Sequence, residues 1–503
     1  MLSKIIYKIQ DIFFPVSRKE LPFFLPMSLM MMLALYNFAT LRSVKDSLIV
    51  SNIGAESISF LKLWLVLPSA ILFTFVYLKL SNKYNLERIF YLICSFFLLF
   101  FAFFCFCLYP NKEILHFNID KITEVSSRLP HLKWFFMILG HWTFALMYIF
   151  CELWSVVTIN LIFWQFANNV VSKEDARRFY PLFGLVGNFG LIIAGNAMVY
   201  FSDISHIPKF AVVAAKHAGA SDSDLSMKLS IISVILAGLC MMVLMRFLNK
   251  YILKTYASQT SYLTHADENS KTTKLTISDS IRLIYNSSYI WYITVIIICY
   301  SLAINILEGP WKAKIRELCP TQTEYLAFMG HFNIWMGVSC VLFMFVGSNI
   351  VRVCSWRVSA LATPGMIGVT GLAFFVFFMF SKYNIDNRTL LFDPLLAAVI
   401  AGAAQNILSK SFKYSLFDST KEIAYMPLDN ELRSKGKAAA EVIGSKVGKS
   451  LGAIIQSGLF IFFPNLDFGD LTPILLPFFL IIIIAWIGNV VLLSAAYEKI
   501  SKE

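Results

Sequence analysis

The sequence predicts an all-α membrane protein whose twelve transmembrane helices form two six-helix halves. Of its 503 residues, 58% are hydrophobic and 15% charged, and the mean hydropathy is +0.67. A soluble chain carries about 25% charged and 45–50% apolar residues, so water is the wrong solvent for this one. The apolar residues also run in stretches of about 20, the length a helix needs to cross the hydrocarbon of a bilayer.

Those stretches start near positions 22, 58, 89, 134, 180, 228, 288, 326, 357, 391, 437 and 471. One long polar segment interrupts them, 250–287, with Lys250, Lys254, Lys271, Lys274 and Arg282. It splits the spans six and six. The domain reading is a tail at 1–21, a half at 22–249, a linker at 250–287, a half at 288–492 and a tail at 493–503. The leader (Lys4, Lys8, Asp11, Arg18, Lys19, Glu20) has mixed charge and no small-residue cleavage pattern, so it reads as part of the mature chain.

An even number of spans puts both ends of the chain on one side. The basic loops (Lys79/Lys83/Arg88, Lys173/Arg177/Arg178, the linker, Arg352/Arg357, Lys421/Arg433/Lys435/Lys437) alternate onto that same side. The positive-inside rule makes it the cytoplasm. The opposite loops, such as Ser221–Asp224 and Asp467–Asp470, are acidic or mixed. The net charge of +12 therefore belongs to short loops and implies no nucleic acid. Most of the nine cysteines lie in apolar runs (Cys94, Cys105, Cys107, Cys151, Cys240, Cys299, Cys340), without a CxxC pair or a histidine at metal spacing. They read as small buried hydrophobes, and neither a disulfide framework nor a metal is expected.

Three matches at half-chain offset relate the halves. Asn37…Arg42…Lys45 ends span 1 as Asn305…Glu308…Lys312 ends span 7. Each is followed by a Glu-containing segment, Glu56-Ser-Ile-Ser-Phe60 and Glu324-Tyr-Leu-Ala-Phe328. Span 5 has Gly184, Gly187 and Gly190 where span 11 has Gly444 and Gly448. Parallel six-helix repeats with a substrate site at their interface are the major-facilitator plan.

A charge in the middle of a membrane helix costs about 2.5–3.5 kcal/mol on insertion scales, so intramembrane charges are functional candidates. Arg42, Lys45 and Asp46 share one face of span 1 at i, i+3 and i+4. A helix end snorkelling its charges outward is the bland alternative; an anion-binding end of the pathway is the functional one. Glu152 sits in apolar sequence on span 4, where it is a structural partner for a lysine or a gating group; His141, three turns earlier, reads as structural. Glu308 and Lys312 on span 7 are at i, i+4, which suits a local salt bridge. Gly309-Pro310 follows Glu308 and is expected to break the helix beside the charge, as in many transporter sites. Lys446 and Lys449 are one turn apart on span 11, beside a Gly444/Gly448/Gly452 ridge that allows close helix approach. Gly448-Lys449-Ser450 imitates a Walker A loop, but the motif needs Gly at 443, where Ile443 stands, and no strand precedes it. Cations on spans 1 and 11 and acids on spans 4 and 7 suit a polyanion that must be held and then released.

The runs Thr40-Leu-Arg-Ser-Val-Lys-Asp46, Glu56-Ser-Ile-Ser-Phe-Leu-Lys62, Leu67-Pro-Ser69, Glu152-Leu-Trp154, Phe163-Trp-Gln-Phe-Ala-Asn168, Lys413-Tyr-Ser-Leu-Phe-Asp418 and Val447-Gly-Lys-Ser450 resemble the ATP/ADP translocase family. These are the nucleotide transporters of obligate intracellular bacteria and plant plastids, and the likeness is closest to the rickettsial members. It extends over essentially the whole chain. The resemblance implies exchange of host ATP, or another nucleoside triphosphate (GTP, UTP or CTP), for bacterial ADP across the inner membrane. It places the family's four critical charges on Lys45, Glu152, Glu308 and Lys449, with Arg42, Lys446, Asn305 and Lys312 as secondary candidates. Leu451 and Pro310 depart from the family pattern. Nucleotides and the bilayer are the expected partners; no cofactor is expected, and the chain is read as a monomer. The competing readings are a proton-coupled symporter of another anion, protonated at Glu152 or Glu308, and a receptor or membrane enzyme. The last is weakest because no catalytic constellation is visible.

Overall fold

The computed structural model describes residues 16–500 apart from 158, 160–162, 209–220, 253–281, 283, 286, 384–392 and 430–431. Most of the expected linker, including Lys254, Lys271 and Lys274, lies outside the described residues, as do most of the leader and the last three residues.

Each of the twelve apolar stretches corresponds to a helix. They are α1 Leu21–Asn52, α2 Ser57–Lys83, α3 Leu86–Leu108, α4 (Pro130–Gly140 with Trp142–Val156), α5 Lys173–Ser202, α6 Asp222–Lys250, α7 Ser288–Leu318, α8 Gln322–Val353, α9 Trp356–Lys382, α10 Pro394–Tyr425, α11 Lys437–Phe462 and α12 Phe468–Ile500. Ten of them are long and apolar enough to cross a membrane, and the bent pair α4 makes eleven. With 26 residues α11 has the length, but its Glu441, Lys446 and Lys449 lower its apolarity. No strand occurs among the described residues.

Helix ends meet at two poles. Where α1 begins, Arg178 at the start of α5 pairs with Glu20 at 2.9 Å. At the same pole Tyr289 of α7 donates to Ala424 O of α10 at 2.6 Å, and Trp356 of α9 stacks on Tyr497 near the end of α12. At the other pole Arg316 of α7 donates to Ser51 O of α1 at 3.5 Å, and Phe468 N donates to Glu56 Oε1 at 3.3 Å. His131 donates there to Ile461 O at 2.7 Å. Neighbouring helices therefore alternate in direction, and the first six helices are tied to the last six at the pole opposite the chain ends.

Glycine sets the closest helix contacts. A Cβ on Gly190 of α5 would collide with Met32 O of α1, and one on Gly187 would meet Met31 and Leu35 at 2.9 Å. In the last six helices, a Cβ on Gly448 of α11 would meet Ile298 O and Ser301 of α7 at 2.7 Å. Gly444 abuts Ile297 and Thr294, and Gly452 abuts Asn305. The expected glycine ridge thus packs on α7, as its counterpart on α5 packs on α1.

The helix break was misplaced by sequence. Pro310 lies inside a continuous α7. A proline in a helix leaves the carbonyl four residues earlier without a donor and crowds it. Here the Gln456 side chain from α11 donates to Asn305 O at 2.8 Å and reaches Ile306 O at 3.5 Å, so the freed acceptors keep a partner. The real break is in α4, which bends by 80° at His141. There the surface helix Ile119–Arg128 presses Ile122 onto Gly140, and His141 Nδ1 bonds Met137 O at 3.0 Å.

Replacing Gly448 by Leu is expected to force α7 and α11 apart and destabilise the protein by about 1–3 kcal/mol, the usual cost of overpacking. Thermal melting of purified protein in detergent tests this; an unshifted midpoint contradicts the close seam.

Candidate functional site

The intramembrane charges form one connected network where α1, α2, α4 and α7 meet. Glu308 of α7 is its hub. Its Oε1 accepts from Arg42 of α1 at 2.9 Å and lies 3.0 Å from Lys312, while its Oε2 accepts from Lys62 of α2 at 2.8 Å. Lys62 also donates to Asn305 Oδ1 at 3.2 Å. Asp46 sits between two lysines, Lys45 at 2.8 Å and Lys312 at 2.8 Å. Lys45 continues to Glu152 of α4 at 3.1 Å and lies 4.0 Å over the ring of Tyr148.

Four cations (Arg42, Lys45, Lys62, Lys312) thus face three carboxylates (Asp46, Glu152, Glu308). Side-chain exposure is 0% for Asp46 and 1% for Lys312 but 32% for Glu152, so the network runs from a dry core to a wet edge. Several contacts are ion pairs without aligned hydrogen bonds. Lys312 Nζ and Asp46 Oδ2 are both buried without a hydrogen-bond partner in spite of their 2.8 Å approach, and Arg42 Nη1 is buried with no partner at all. Part of the donor capacity of the site is unspent.

α11 closes the site from the other side. Its residues 442, 446, 449, 453 and 456 follow one helical face, spaced by three or four. Exposure along that face falls from 55% at Val442, through exposed Lys446 and Lys449, to 4% at Ala453 and 5% at Gln456. The face is open at the pole of the chain ends and closed before Ala453, where Lys62, Asn305, Glu308, Gly452 and Gln456 surround a small pocket.

Of the eight residues singled out from sequence, six join this network: Lys45, Glu152, Glu308, Arg42, Asn305 and Lys312. The predicted i, i+4 pair Glu308–Lys312 is present. Lys449 stands apart, without an ion pair among the described residues; Glu152, Lys413, Lys62 and Glu308 are the charges that act on it. Lys446 lies a turn nearer the open pole, exposed and outside the network. Sequence reading missed Lys62 and Gln456 as site residues, although each is a polar residue inside an apolar run. Two aromatic residues of the same helices pack away from the network: Tyr36 of α1 donates to Ser233 of α6 at 2.7 Å, and Trp154 of α4 is buried against Phe97 and Phe101 of α3.

Losing the hub carboxylate should leave two cations, Arg42 and Lys62, without their ion-pair partner, while Lys312 keeps Asp46. Glu308→Gln is expected to cost about 3–5 kcal/mol, as when one partner of a buried ion pair is removed. Gln456→Leu should cost about 1–3 kcal/mol by orphaning the carbonyls beside Pro310. Melting curves of the two variants check both values; wild-type midpoints would contradict the assigned contacts.

The profile of the TLC ATP/ADP transporter family matches residues 2–497. The ADP,ATP carrier protein 3 of Rickettsia prowazekii (strain Madrid E) is 51% identical over 494 residues, covering 98% of each chain. The ADP,ATP carrier protein 1 of Rickettsia bellii (strain RML369-C) is 41% identical over 495 residues, 98% of this chain and 97% of the relative. Among solved structures, a bacterial homologue of the iron transporter ferroportin in an inward-facing state aligns with a TM-score of 0.56 at 13% identity, over 97% of this chain and 100% of the other. A D-xylose–proton symporter aligns with a TM-score of 0.50 at 13% identity, over 94% and 96%. Both likenesses concern the fold, which is that of the major-facilitator-like transporters.

Proposed function

The chain belongs to the TLC ATP/ADP transporter family, so it is a multi-pass membrane transporter and not an enzyme, and from that premise we propose that it exchanges ATP, or another nucleoside triphosphate, for ADP by alternating access. The names of its rickettsial relatives, ADP,ATP carrier proteins, support nucleotides as cargo. One observation carries the reading at the level of chemistry. The helix seam holds four cations against three carboxylates, and a fifth cation, Lys449, stands exposed at the cavity edge. An excess of positive charge suits a polyphosphate and has no use for a neutral sugar.

Lys45 and Lys449 are the phosphate holders in this proposal. Arg42, with its unspent Nη1, and Lys62 reinforce them. Glu152 and Glu308 are the release elements, because each can retake a cation when phosphate leaves. The two sets of six helices, 22–249 and 288–492, act as the halves that rock about this site. The membrane is the bacterial inner membrane and both termini are cytoplasmic, a placement that the basic loops support. The open face of α11 then looks to the cytoplasm, and the monomer is the working unit.

Counterflow in proteoliposomes tests the proposal. Preloading with ADP is expected to stimulate uptake of labelled ATP, GTP, UTP or CTP; no stimulation by any of them, with uptake driven instead by a pH gradient into empty vesicles, would replace the antiporter by a proton-coupled symporter. Lys45→Ala and Lys449→Ala should each lower exchange by about tenfold or more, the worth of one charge-assisted hydrogen bond. Wild-type exchange in both would remove these lysines from the site.

A further inference from the structure

The cations that hold Glu308 and Glu152 do not exhaust the positive charge around the cavity. α10 carries Lys410 and Lys413, one turn apart, at the point where the helix changes from regular α-helix to a π-helical turn, Lys413–Phe417. Such turns inside α-helices recur at functional sites, because they rotate the following side chains out of the ordinary register. From sequence alone this stretch reads as a solvated helix end. In the structure both lysines turn inward. Lys410 Nζ lies 5.6 Å from the ring of Phe38 on α1, so it reaches across to the first six helices. Lys413 Nζ lies 5.9 Å from the ring of Tyr300 on α7 and 5.1 Å from that of Tyr414.

Neither lysine has an ion pair among the described residues. Asp418 and Glu441, the carboxylates of this region, are both engaged by Lys421, at 3.2 and 2.7 Å. Arg42, Glu308 and Lys413 act electrostatically on Lys410, and Lys413 in turn acts on Lys449. Cations within electrostatic reach of one another therefore stand on α1, α10 and α11: Arg42 with its unpartnered Nη1, then Lys410, Lys413 and Lys449. Three like charges in one region repel each other, and an anion placed among them relieves that repulsion.

We propose that Lys410 and Lys413 are binding residues that, with Lys449, cradle the polyphosphate of the transported nucleotide. The chemistry is that of three ammonium point charges around a chain of phosphate oxygens, each supplying charge-assisted hydrogen bonds without the fixed fork of a guanidinium. Three positions apart on one helix, Lys410 and Lys413 share a face and can reach a common ligand. Tyr300, stacked on Phe417 with ring centroids 5.0 Å apart, walls the cradle on the α7 side. This rests on the nucleotide reading above but concerns only the phosphate part of the ligand.

Inorganic tripolyphosphate, which has no base or sugar, is the probe. Purified full-length protein in detergent is titrated with tripolyphosphate and, separately, with ATP, and binding is followed by the rise in melting temperature. Tripolyphosphate is expected to stabilise the wild type in a salt-dependent manner. Lys410→Gln and Lys413→Gln should each weaken its apparent affinity by about tenfold. Lys382→Gln, at the opposite pole beside Asp470, should leave it unchanged. Wild-type affinity for tripolyphosphate in both α10 variants overturns the cradle. So does stabilisation of the wild type by ATP but not by tripolyphosphate, and in both cases the nucleotide reading survives. A wild type that answers neither to tripolyphosphate nor to any nucleotide overturns both.

Discussion

The structure depends on one buried carboxylate, Glu308, and on the three cations that meet it from three helices. Arg42 comes from α1, Lys62 from α2 and Lys312 from α7 itself. Any of these charges alone in the bundle would cost several kcal/mol of lost hydration. Together they form a knot that holds the first six helices against the last six. Asp46 extends it through Lys312 and Lys45 to Glu152, so a change at one end of the chain of charges is felt at the other. The apolar residues decide that helices form and insert; this knot decides which faces of α1, α2, α4 and α7 look at each other.

Two kinds of seam serve two purposes. Glycine makes the close seams, α1 on α5 through Gly187 and Gly190, α7 on α11 through Gly444, Gly448 and Gly452, and, between the two sets of six helices, α5 on α8 through Gly195, Gly330 and Gly337. Backbone against backbone leaves no room for sliding, because packed interiors do not deform continuously. Gln456 adds a polar bolt to the second of these seams by capping the carbonyls that Pro310 leaves open. A second contact between the sets, α1 and α2 against α7, carries ion pairs, several without aligned hydrogen bonds, and ion pairs can exchange partners when a competing charge arrives. The glycine seams keep α1 with α5 and α7 with α11, and the charged contact is the one that an anion can loosen.

The sequence made most of this legible, for reasons that differ from residue to residue. Twelve apolar stretches were visible because hydrocarbon tolerates almost nothing else. Lys45, Glu152, Glu308 and Lys449 stood out because charges are rare and expensive in such stretches, and the family likeness fell on the same four. The Glu308–Lys312 pair followed from helical spacing alone. What could not be read is what depends on partners distant in the chain. Pro310 seemed a helix breaker because its rescuer, Gln456, lies 146 positions away. His141 gives no sign of the 80° bend, beside which Ile122 of a separate helix packs on Gly140. Lys410 and Lys413 read as a solvated helix end because their inward setting depends on the nearness of α1 and α7, whose Phe38 and Tyr300 are distant in the chain.

Exchange without leak needs an empty carrier that resists reorientation, and the charge knot supplies a physical reason for that resistance. With the cavity empty, Arg42–Glu308, Lys62–Glu308 and Lys312–Asp46 each join one set of six helices to the other. Separating the sets at this level would strand those charges, and each broken buried pair costs about 3–5 kcal/mol. A polyanion changes the balance. Its oxygens can take over Arg42 and Lys62, whose present partner Glu308 keeps Lys312, so no cation is left bare during the change. The excess of cations over carboxylates then acquires a purpose beyond attraction. A seam with equal numbers would be fully satisfied when empty and would gain nothing from a phosphate. A seam with a large excess would never release one. Four against three, with further lysines at the wet edge, lets the ligand loosen the knot and lets the carboxylates tie it again when the ligand leaves.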